Sequence, residues 1–165
     1  MKTGIFFGST TGNTEEAAMK IKELLGGAEL YEISSTSIDD ILKFDNIIFG
    51  CSTWGYGELQ QDWDDKINEF KGMDLSGKKI TFFGTGDQQG YSETFIDALG
   101  IIYEALENSN AEFIGSWPTD GYSFDNSKAI KNGDFIGLAL DYDCQPELND
   151  KRIGEWVSQL KNEFN

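Results

Sequence analysis

Five short apolar runs most constrain how this chain can fold, because each is nearly continuous and does not alternate with polar residues. The runs span residues 2–7, 28–32, 46–50, 79–84 and 111–117 and are rich in isoleucine and phenylalanine. A strand that is apolar on both faces is typical of a parallel sheet covered by helices on both sides. The sequence therefore predicts an α/β architecture.

The segments between these runs carry apolar residues at spacings of three, four and seven, as one face of a helix does. The four stripes comprise Ala17, Ile21, Leu24 and Leu25; Trp63, Ile67 and Phe70; Phe95, Leu99, Ile102 and Leu106; and Ile153, Trp156, Val157, Leu160 and Phe164. A weaker helix is predicted over residues 37–43, and Asn149 or Asp150 is placed to cap the last helix. Alternating strands and helices predict right-handed βαβ units in a three-layer sandwich.

One domain is predicted over residues 1–165, because the chain is short for two domains and contains no repeat, low-complexity tract or linker. Residues 118–134 interrupt the regular alternation and precede a strand-like run at 135–140. A loop of this length in a compact domain is usually functional or an insertion. We expect it to split a fifth strand into two halves, 111–117 and 135–140.

Charge and missing residue types exclude several function classes. Aspartate and glutamate number 29 against 13 lysines and arginines, so the net charge is −16. This charge argues against nucleic-acid binding and fits steering toward basic patches on partner proteins, although acidity that only aids solubility stays an alternative. The absence of histidine excludes Ser-His-Asp and Cys-His catalysis.

With no signal-peptide pattern and no long apolar run, we expect a cytoplasmic protein that does not enter a membrane. Cys51 and Cys144 are predicted to be free thiols in packing roles.

The turn after the first predicted strand is a candidate phosphate site. It reads Gly8, Ser9, Thr10, Thr11, Gly12, Asn13 and Thr14 and leads directly into a helix. Hydroxyls, a side-chain amide and backbone N–H groups at a helix N-terminus suit a phosphate. The turn has neither the lysine of a Walker loop nor the glycine spacing of a dinucleotide fingerprint, so neutral donors would hold the phosphate. The alternative is a turn that only caps the helix.

Aromatic residues stand among glycines after the third and fourth strands. Residues 51–58 include Trp54 and Tyr56, and residues 84–91 include Tyr91. Ligands of open parallel sheets bind beyond the carboxyl ends of the strands, where aromatic rings stack on planar groups. The three loops together predict a site for a flat heterocycle that carries one phosphate. Taken alone, Trp54 would more often be a rim or core residue.

These motifs resemble those of the flavodoxin family. The stretch from Phe6 to Glu15 resembles the family's phosphate-loop signature, and residues 52–60 and 83–91 resemble its two flavin-flanking loops. Residues 119–122 and 137–141 resemble the long-chain branch, and the likeness extends over essentially the whole chain. The resemblance implies a three-layer αβα sandwich on a five-stranded parallel sheet of order 2-1-3-4-5, with the fifth strand split by a long loop.

The resemblance also implies one non-covalently bound flavin mononucleotide (FMN). Trp54 would cover one face of its ring and Tyr91 the other. The implied phosphate contacts are Ser9, Thr10, Thr11, Gly12, Asn13 and Thr14. Further implied contacts are Thr53, Gly55, Tyr56 and Gly57 at the ring edge or ribityl chain, Thr85, Gly86 and Asp87 at the pyrimidine side, and Asp143 near the ribityl chain or ring. No metal or catalytic residue is implied.

A flavodoxin is a low-potential one-electron carrier that shuttles between semiquinone and hydroquinone and turns over no substrate of its own. Reduced FMN is an anion, and an acidic protein without a basic counter-ion would disfavour the second electron. The resemblance implies that a carbonyl near Gly55 turns toward the flavin N5 proton, and glycine lowers the cost of that turn. Many relatives carry a side chain at this position. We expect a monomer that forms transient complexes with basic reductases and electron-accepting enzymes.

Two other function classes stay open at this point. An FMN-dependent NAD(P)H or quinone oxidoreductase has the same fold, but the sequence shows no dinucleotide-contact motif, and rings on both flavin faces would obstruct hydride access. A cofactor-free interaction module is the remaining alternative. A phosphoacceptor receiver domain is excluded, since it needs an aspartate at the end of strand three and this chain has Cys51 and Ser52 there.

Overall fold

The computed structural model describes all of residues 1–165. The strands and helices follow one another along the chain in the order β1 (Thr3–Gly8), α1 (Asn13–Leu25), β2 (Glu29–Glu32), α2 (Ile38–Ile41), β3 (Asn46–Trp54), β4 (Glu58–Leu59), α3 (Gln61–Phe70), β5 (Lys79–Thr85), α4 (Asp97–Leu106), β6 (Glu112–Phe113), β7 (Ile130–Lys131), β8 (Asp134–Phe135), β9 (Leu138–Leu140) and α5 (Asn149–Glu163). Single 3₁₀ turns lie at Ile33–Ser35, Ser92–Thr94 and Pro146–Leu148.

The central sheet has the order β2-β1-β3-β5-β6, and these strands are all parallel. This confirms the predicted strand order. The fifth position of the sheet is shared by two segments, because β6 pairs with β5 at Lys79 and Ile80 while β9 pairs with it at Phe83 to Thr85. Both halves of the fifth strand therefore extend the same neighbour, which confirms the predicted split.

The two halves of the fifth strand are shorter than predicted. Gly115 has a φ of +78°, a conformation that breaks an extended strand, so β6 ends before it. Phe135 pairs in the small β7–β8 hairpin and bridges antiparallel to Trp117. The residues between β6 and β9 are thus held by their own hairpin, and the sheet resumes only at Leu138.

Helices α1 and α5 pack against each other, and α3 packs against α4, so helices flank the sheet on two sides. The core is strongly aromatic, with Phe49 at its centre and ring centroids 5.3 Å from Trp63, 5.5 Å from Phe70 and 6.2 Å from Phe82. Trp63 and Phe70 meet Phe49 edge-on, and edge-on ring pairs contribute stability beyond the area that they bury. No helix combines the length and apolar character that crossing a bilayer requires.

The helix starts show where local sequence signals hold and where they fail. The short α2 begins with a capping box, in which the Ser37 hydroxyl and the Asp40 carboxylate each accept a backbone N–H of the other residue. The predicted cap of α5 is wrong, because α5 begins at Asn149 after a 3₁₀ turn and no side chain caps it. The Asn149 carboxamide instead bonds both backbone groups of Asp141, at 3.2 and 3.3 Å.

Candidate functional site

Loops from the carboxyl ends of β1, β3 and β5 meet at a cavity of about 340 Å³. Its walls consist of Thr11, Asn13, Ser52, Thr53, Trp54, Gly55, Thr85, Gly86, Asp87, Tyr91, Thr94, Phe95, Ile96, Tyr142 and Asp143. Lysine and arginine are absent from these walls. Most predicted site residues line the cavity; those that do not are Ser9, Thr10, Gly12, Thr14, Tyr56 and Gly57.

The turn between β1 and α1 leaves the helix N-terminus without a side-chain cap. Gly12 occupies the cap position with a φ of +96°, which favours glycine, and no side chain bonds the first turn. The Ser9 hydroxyl accepts the Gly12 N–H at 3.1 Å and so closes the turn. The alternative of a turn that only caps the helix is therefore wrong. The first N–H groups of α1 have no acceptor within the helix and suit an anion.

Two hydroxyls of this turn are tied to neighbouring elements. Thr14 is buried, and its Oγ1 lies 3.2 Å from Oγ1 of Thr85 at the end of β5. The exposed Thr10 accepts a hydrogen bond from Nε2 of Gln60, which precedes α3, at 3.1 Å. The turn is thus connected to the end of β5 and to the start of α3.

Strand β3 continues beyond its predicted end at residue 50 and forms an antiparallel hairpin with β4. Gly55 and Gly57 have φ of +51° and +94°, and the Gly57 N–H closes the turn on the Trp54 carbonyl at 3.2 Å. A Cβ at Gly57 would lie 2.7 Å from Oδ2 of Asp97, so only glycine fits there. The hairpin places Trp54 at the cavity wall.

Three aromatic side chains at this edge are exposed. Trp54 is 38 % exposed and its indole N–H donates to Oγ of Ser52 at 2.7 Å, which places it at the rim and not in the core. Tyr91 is 46 % exposed, and the 86 % exposed Tyr56 meets it edge-on with centroids 6.4 Å apart. Trp54 and Tyr91 line the cavity, whereas Tyr56 stands outside its walls.

The acidic groups at the site differ in their proton affinity. The Asp87 carboxylate accepts the Gly90 N–H at 2.8 Å and the Gln89 N–H at 3.1 Å. The Gly90 bond is the main reason that the pKa of Asp87 is lowered. Burial raises the pKa of Asp143, and the negative charges of Asp87 and Asp141 raise it further. The walls therefore contain two carboxyl groups and no cationic side chain.

The two cysteines have different surroundings. Cys51 is buried in the core, and its burial raises the pKa of the thiol to about 12. Cys144 is only half-buried, and its thiol donates to Oδ1 of Asp87 at 3.1 Å. Burial is the main reason that its pKa rises to about 11. Both thiols are free, as predicted; Cys144 contacts Asp87, a residue of the cavity wall, but does not line the cavity itself.

The sequence missed five residues of the cavity wall: Ser52, Thr94, Phe95, Ile96 and Tyr142. Phe95 was predicted within a helix, but α4 begins only at Asp97. The break is at the buried Ile96, whose φ of +60° is rare for a β-branched residue. The long loop holds this conformation, since the carbonyl of Asn126 accepts the Phe95 N–H at 3.2 Å and the Lys128 N–H donates to Asp97 at 2.7 Å. Nothing in the local sequence signals such long-range bonds.

Comparison with known proteins decides the family. The sequence profile described as Flavodoxin matches residues 5–156. The chain belongs to the flavodoxin family. Among relatives of this flavodoxin, the "Flavodoxin" of Trichodesmium erythraeum (strain IMS101) is 51 % identical over 99 % of this chain and 98 % of its own. The "Flavodoxin 1" of Escherichia coli (strain K12) is 46 % identical over 98 % of this chain and 94 % of its own.

A solved structure of another flavodoxin agrees with this fold throughout. The flavodoxin of Fusobacterium nucleatum bound to flavin mononucleotide superposes with a TM-score of 0.94 at 32 % identity, covering all of both chains. The predicted family and fold class are therefore confirmed for this flavodoxin.

Proposed function

We propose that this flavodoxin is a low-potential one-electron carrier that holds one FMN non-covalently within a single domain and has no substrate turnover of its own. One observation carries the proposal. The uncapped N-terminus of α1 and the two half-exposed rings of Trp54 and Tyr91 border one cavity at the carboxyl edge of the sheet. A monophosphate joined to a flat heterocycle is the ligand that such an arrangement suits.

The donor set fits a phosphate held without a cation. The turn from Gly8 to Thr14 offers hydroxyls, the Asn13 amide and free backbone N–H groups, and contains no lysine or arginine. Neutral donors at a helix N-terminus attract an anion through the helix dipole. The residues proposed to bind the phosphate are Ser9, Thr10, Thr11, Gly12, Asn13 and Thr14.

The walls also fit a flat ring. We assign one face of the flavin ring to stacking on Trp54 and the other face to stacking on Tyr91. A Cβ at Gly86 would lie 3.0 Å from Cδ1 of Ile96, so glycine lets this segment pack closely against Ile96, another residue of the wall. The remaining proposed contacts are Thr53, Gly55, Tyr56, Gly57, Thr85, Gly86, Asp87 and Asp143.

Bound FMN supplies the electron transfer, and the protein sets which charge state is favoured. The cavity carries the carboxylates of Asp87 and Asp143 and no cation, on a chain of net charge −16. Added negative charge is disfavoured there, so the couple that takes up the last electron should have a low potential. Gly55 already occupies a left-handed conformation, φ +51°, so its peptide can rotate to offer a carbonyl acceptor with little strain.

The visible spectrum of the purified holoprotein tests this function. We expect a yellow protein whose anaerobic reductive titration passes through a distinct long-wavelength species after one electron. A spectrum that goes directly from oxidised to two-electron-reduced would contradict the charge argument. Steady-state oxidation of NADPH by the holoprotein alone would instead favour an oxidoreductase.

Replacement of Tyr91 by alanine tests the stacking role of this ring. Tyr91→Ala should weaken FMN binding by about 1 kcal/mol or more through lost aromatic contact, measured by fluorescence titration of the apoprotein. Tyr31→Ala is the matched control, because Tyr31 is similarly exposed on β2 and does not line the cavity. If the two variants bind FMN with equal affinity, Tyr91 does not stack on the flavin.

Partner binding follows from the same charge. We infer a cytoplasmic monomer that forms transient complexes with basic redox proteins, because long-range attraction accelerates encounter. Raising the ionic strength from about 0.01 to 0.15 M shortens the Debye length from about 30 to 8 Å and should slow electron transfer from a basic reductase several-fold. A rate that is independent of salt would rule out electrostatic steering.

A further inference from the structure

Gln60 connects the aromatic hairpin to the phosphate turn. It is the residue before α3 and is only 2 % exposed, although glutamine is usually a surface residue. Its Nε2 lies 3.1 Å from Oγ1 of Thr10 and 3.1 Å from Oδ2 of Asp62. Its Oε1 accepts the backbone N–H of Asp62, also at 3.1 Å. Every polar atom of the amide is therefore occupied.

The surroundings leave only one orientation for this amide. The N–H of Asp62 can only donate, so it must face the amide oxygen. The ionised carboxylate of Asp62 can only accept, so it must face the amide nitrogen. The nitrogen therefore also points at Thr10 and donates to its oxygen.

This donation determines where the proton of the Thr10 hydroxyl points. A threonine hydroxyl has one proton, and its oxygen can accept as well as donate. Because the oxygen accepts from Gln60, the proton is directed away from Gln60 and remains available to an acceptor. Thr10 is exposed in the turn, where a phosphate is expected. A hydroxyl that is already oriented loses less freedom on binding than one that rotates.

The space for the amide is part of the structure. A Cβ at Gly8 would lie 2.8 Å from Cδ1 of Trp63 and 3.1 Å from Cδ of Gln60. Glycine at the end of β1 therefore lets the buried Gln60 side chain lie against the strand and reach the turn. Both Gly8 at the end of β1 and Gln60 before α3 thus contribute to the contact between the Gln60 amide and the turn.

We propose that Gln60 is a positioning residue that makes the site select phosphorylated flavin over riboflavin, by orienting the Thr10 hydroxyl toward the phosphate. This inference rests on the proposed function, since it assumes that the turn holds the FMN phosphate. Gln60 itself does not line the cavity and acts only through Thr10.

The experiment measures the dissociation constants of FMN and of riboflavin for apoprotein variants and compares their ratio. Thr10→Val removes the hydroxyl and should lower the preference for FMN about tenfold. Gln60→Met keeps the size of the side chain and should lower it about threefold. In the Thr10→Val background, Gln60→Met should cause no further change in the ratio, because the group it orients is gone.

Two further variants complete the design. Gln61→Met is the matched control, since Gln61 is the next residue, the first of α3, and its amide bonds Asp65 at 2.9 Å, away from the turn. Its ratio should equal that of the wild type. Gln60→Glu keeps an acceptor for the Asp62 N–H but replaces the nitrogen that donates to the Asp62 carboxylate with a second acceptor oxygen. It reverses the bond to Thr10, so its ratio should fall at least as far as in Gln60→Met.

A purely structural role would weaken both flavins equally and leave the ratio unchanged. That result, or an equal loss from Gln60→Met with and without the Thr10 hydroxyl, would overturn the proposal. It would not affect the proposed function, whose FMN site would be contradicted in this experiment only by a wild-type apoprotein that binds neither flavin.

Discussion

Asp141→Ala is expected to lower the free energy of unfolding of the apoprotein by about 3–5 kcal/mol. The Asp141 carboxylate is fully buried and accepts four hydrogen bonds. One oxygen accepts the N–H and the Nε2 of Gln88, at 3.0 and 2.8 Å. The other accepts the N–H groups of Asp143 and Cys144, at 3.0 and 2.8 Å. Alanine would leave all four donors without this partner.

The same change should also weaken FMN binding. Asp141 joins the loop after β5 to the loop after β9, and the second loop carries the cavity residues Tyr142 and Asp143. Without the carboxylate the wall is no longer held before the ligand arrives, so we expect an affinity loss of about tenfold or more.

Urea unfolding of the apoprotein measures the first effect and flavin titration the second. Asp120→Ala is the control, because Asp120 is exposed in the long loop and forms no hydrogen bond or ion pair; it should change stability by less than about 0.5 kcal/mol. Similar midpoints for the two variants would show that water replaces the Asp141 carboxylate without cost.

Trp63→Ala should destabilise the apoprotein by about 3–5 kcal/mol. The indole is fully buried on α3, packs edge-on against Phe49 and donates its N–H to the Gly50 carbonyl at 2.7 Å. Alanine would leave a cavity next to the central strand and would remove the hydrogen bond from the indole to the Gly50 carbonyl. Trp63→Phe keeps most of the volume and loses the hydrogen bond, so about 1–2 kcal/mol is expected.

Trp54→Ala is the comparison that separates packing from ligand binding. Its ring is 38 % exposed and lies at the cavity, so its removal should change apoprotein stability by less than about 1 kcal/mol while it weakens FMN binding. Chemical denaturation should show the large loss of stability in Trp63→Ala, and flavin titration should show the loss of FMN affinity in Trp54→Ala. A large stability loss for Trp54→Ala would mean that this ring is part of the core.

Much of the fold could be predicted because its signals are local. The apolar run in β1, the helical stripe of α3 and the box of Ser37 and Asp40 each report on the few residues around them. The phosphate turn and the two glycine-rich aromatic loops could be found in the same way, and their common position follows from the rule that ligands bind beyond the carboxyl ends of parallel strands.

Other features depend on residues that are far apart in sequence. Phe95 belongs to a helical stripe, yet bonds from residues 126 and 128 hold Phe95 and Asp97 so that the helix begins two residues later, at Asp97. Asn149 is of a residue type that often caps helices, yet its carboxamide bonds the backbone of Asp141. In each case a tertiary hydrogen bond outweighs a local preference that amounts to about 1 kcal/mol.

By itself, then, the sequence determined the α/β fold, the strand order through its family resemblance, and the three loops that form the site. Only the tertiary structure decided that β3 continues to Trp54, that Cys144 reaches Asp87, and that Gln60 orients Thr10. The physical reason is that periodicity and turn chemistry act over a few neighbouring residues. A buried polar group instead takes whichever partner the packed chain brings within hydrogen-bond distance.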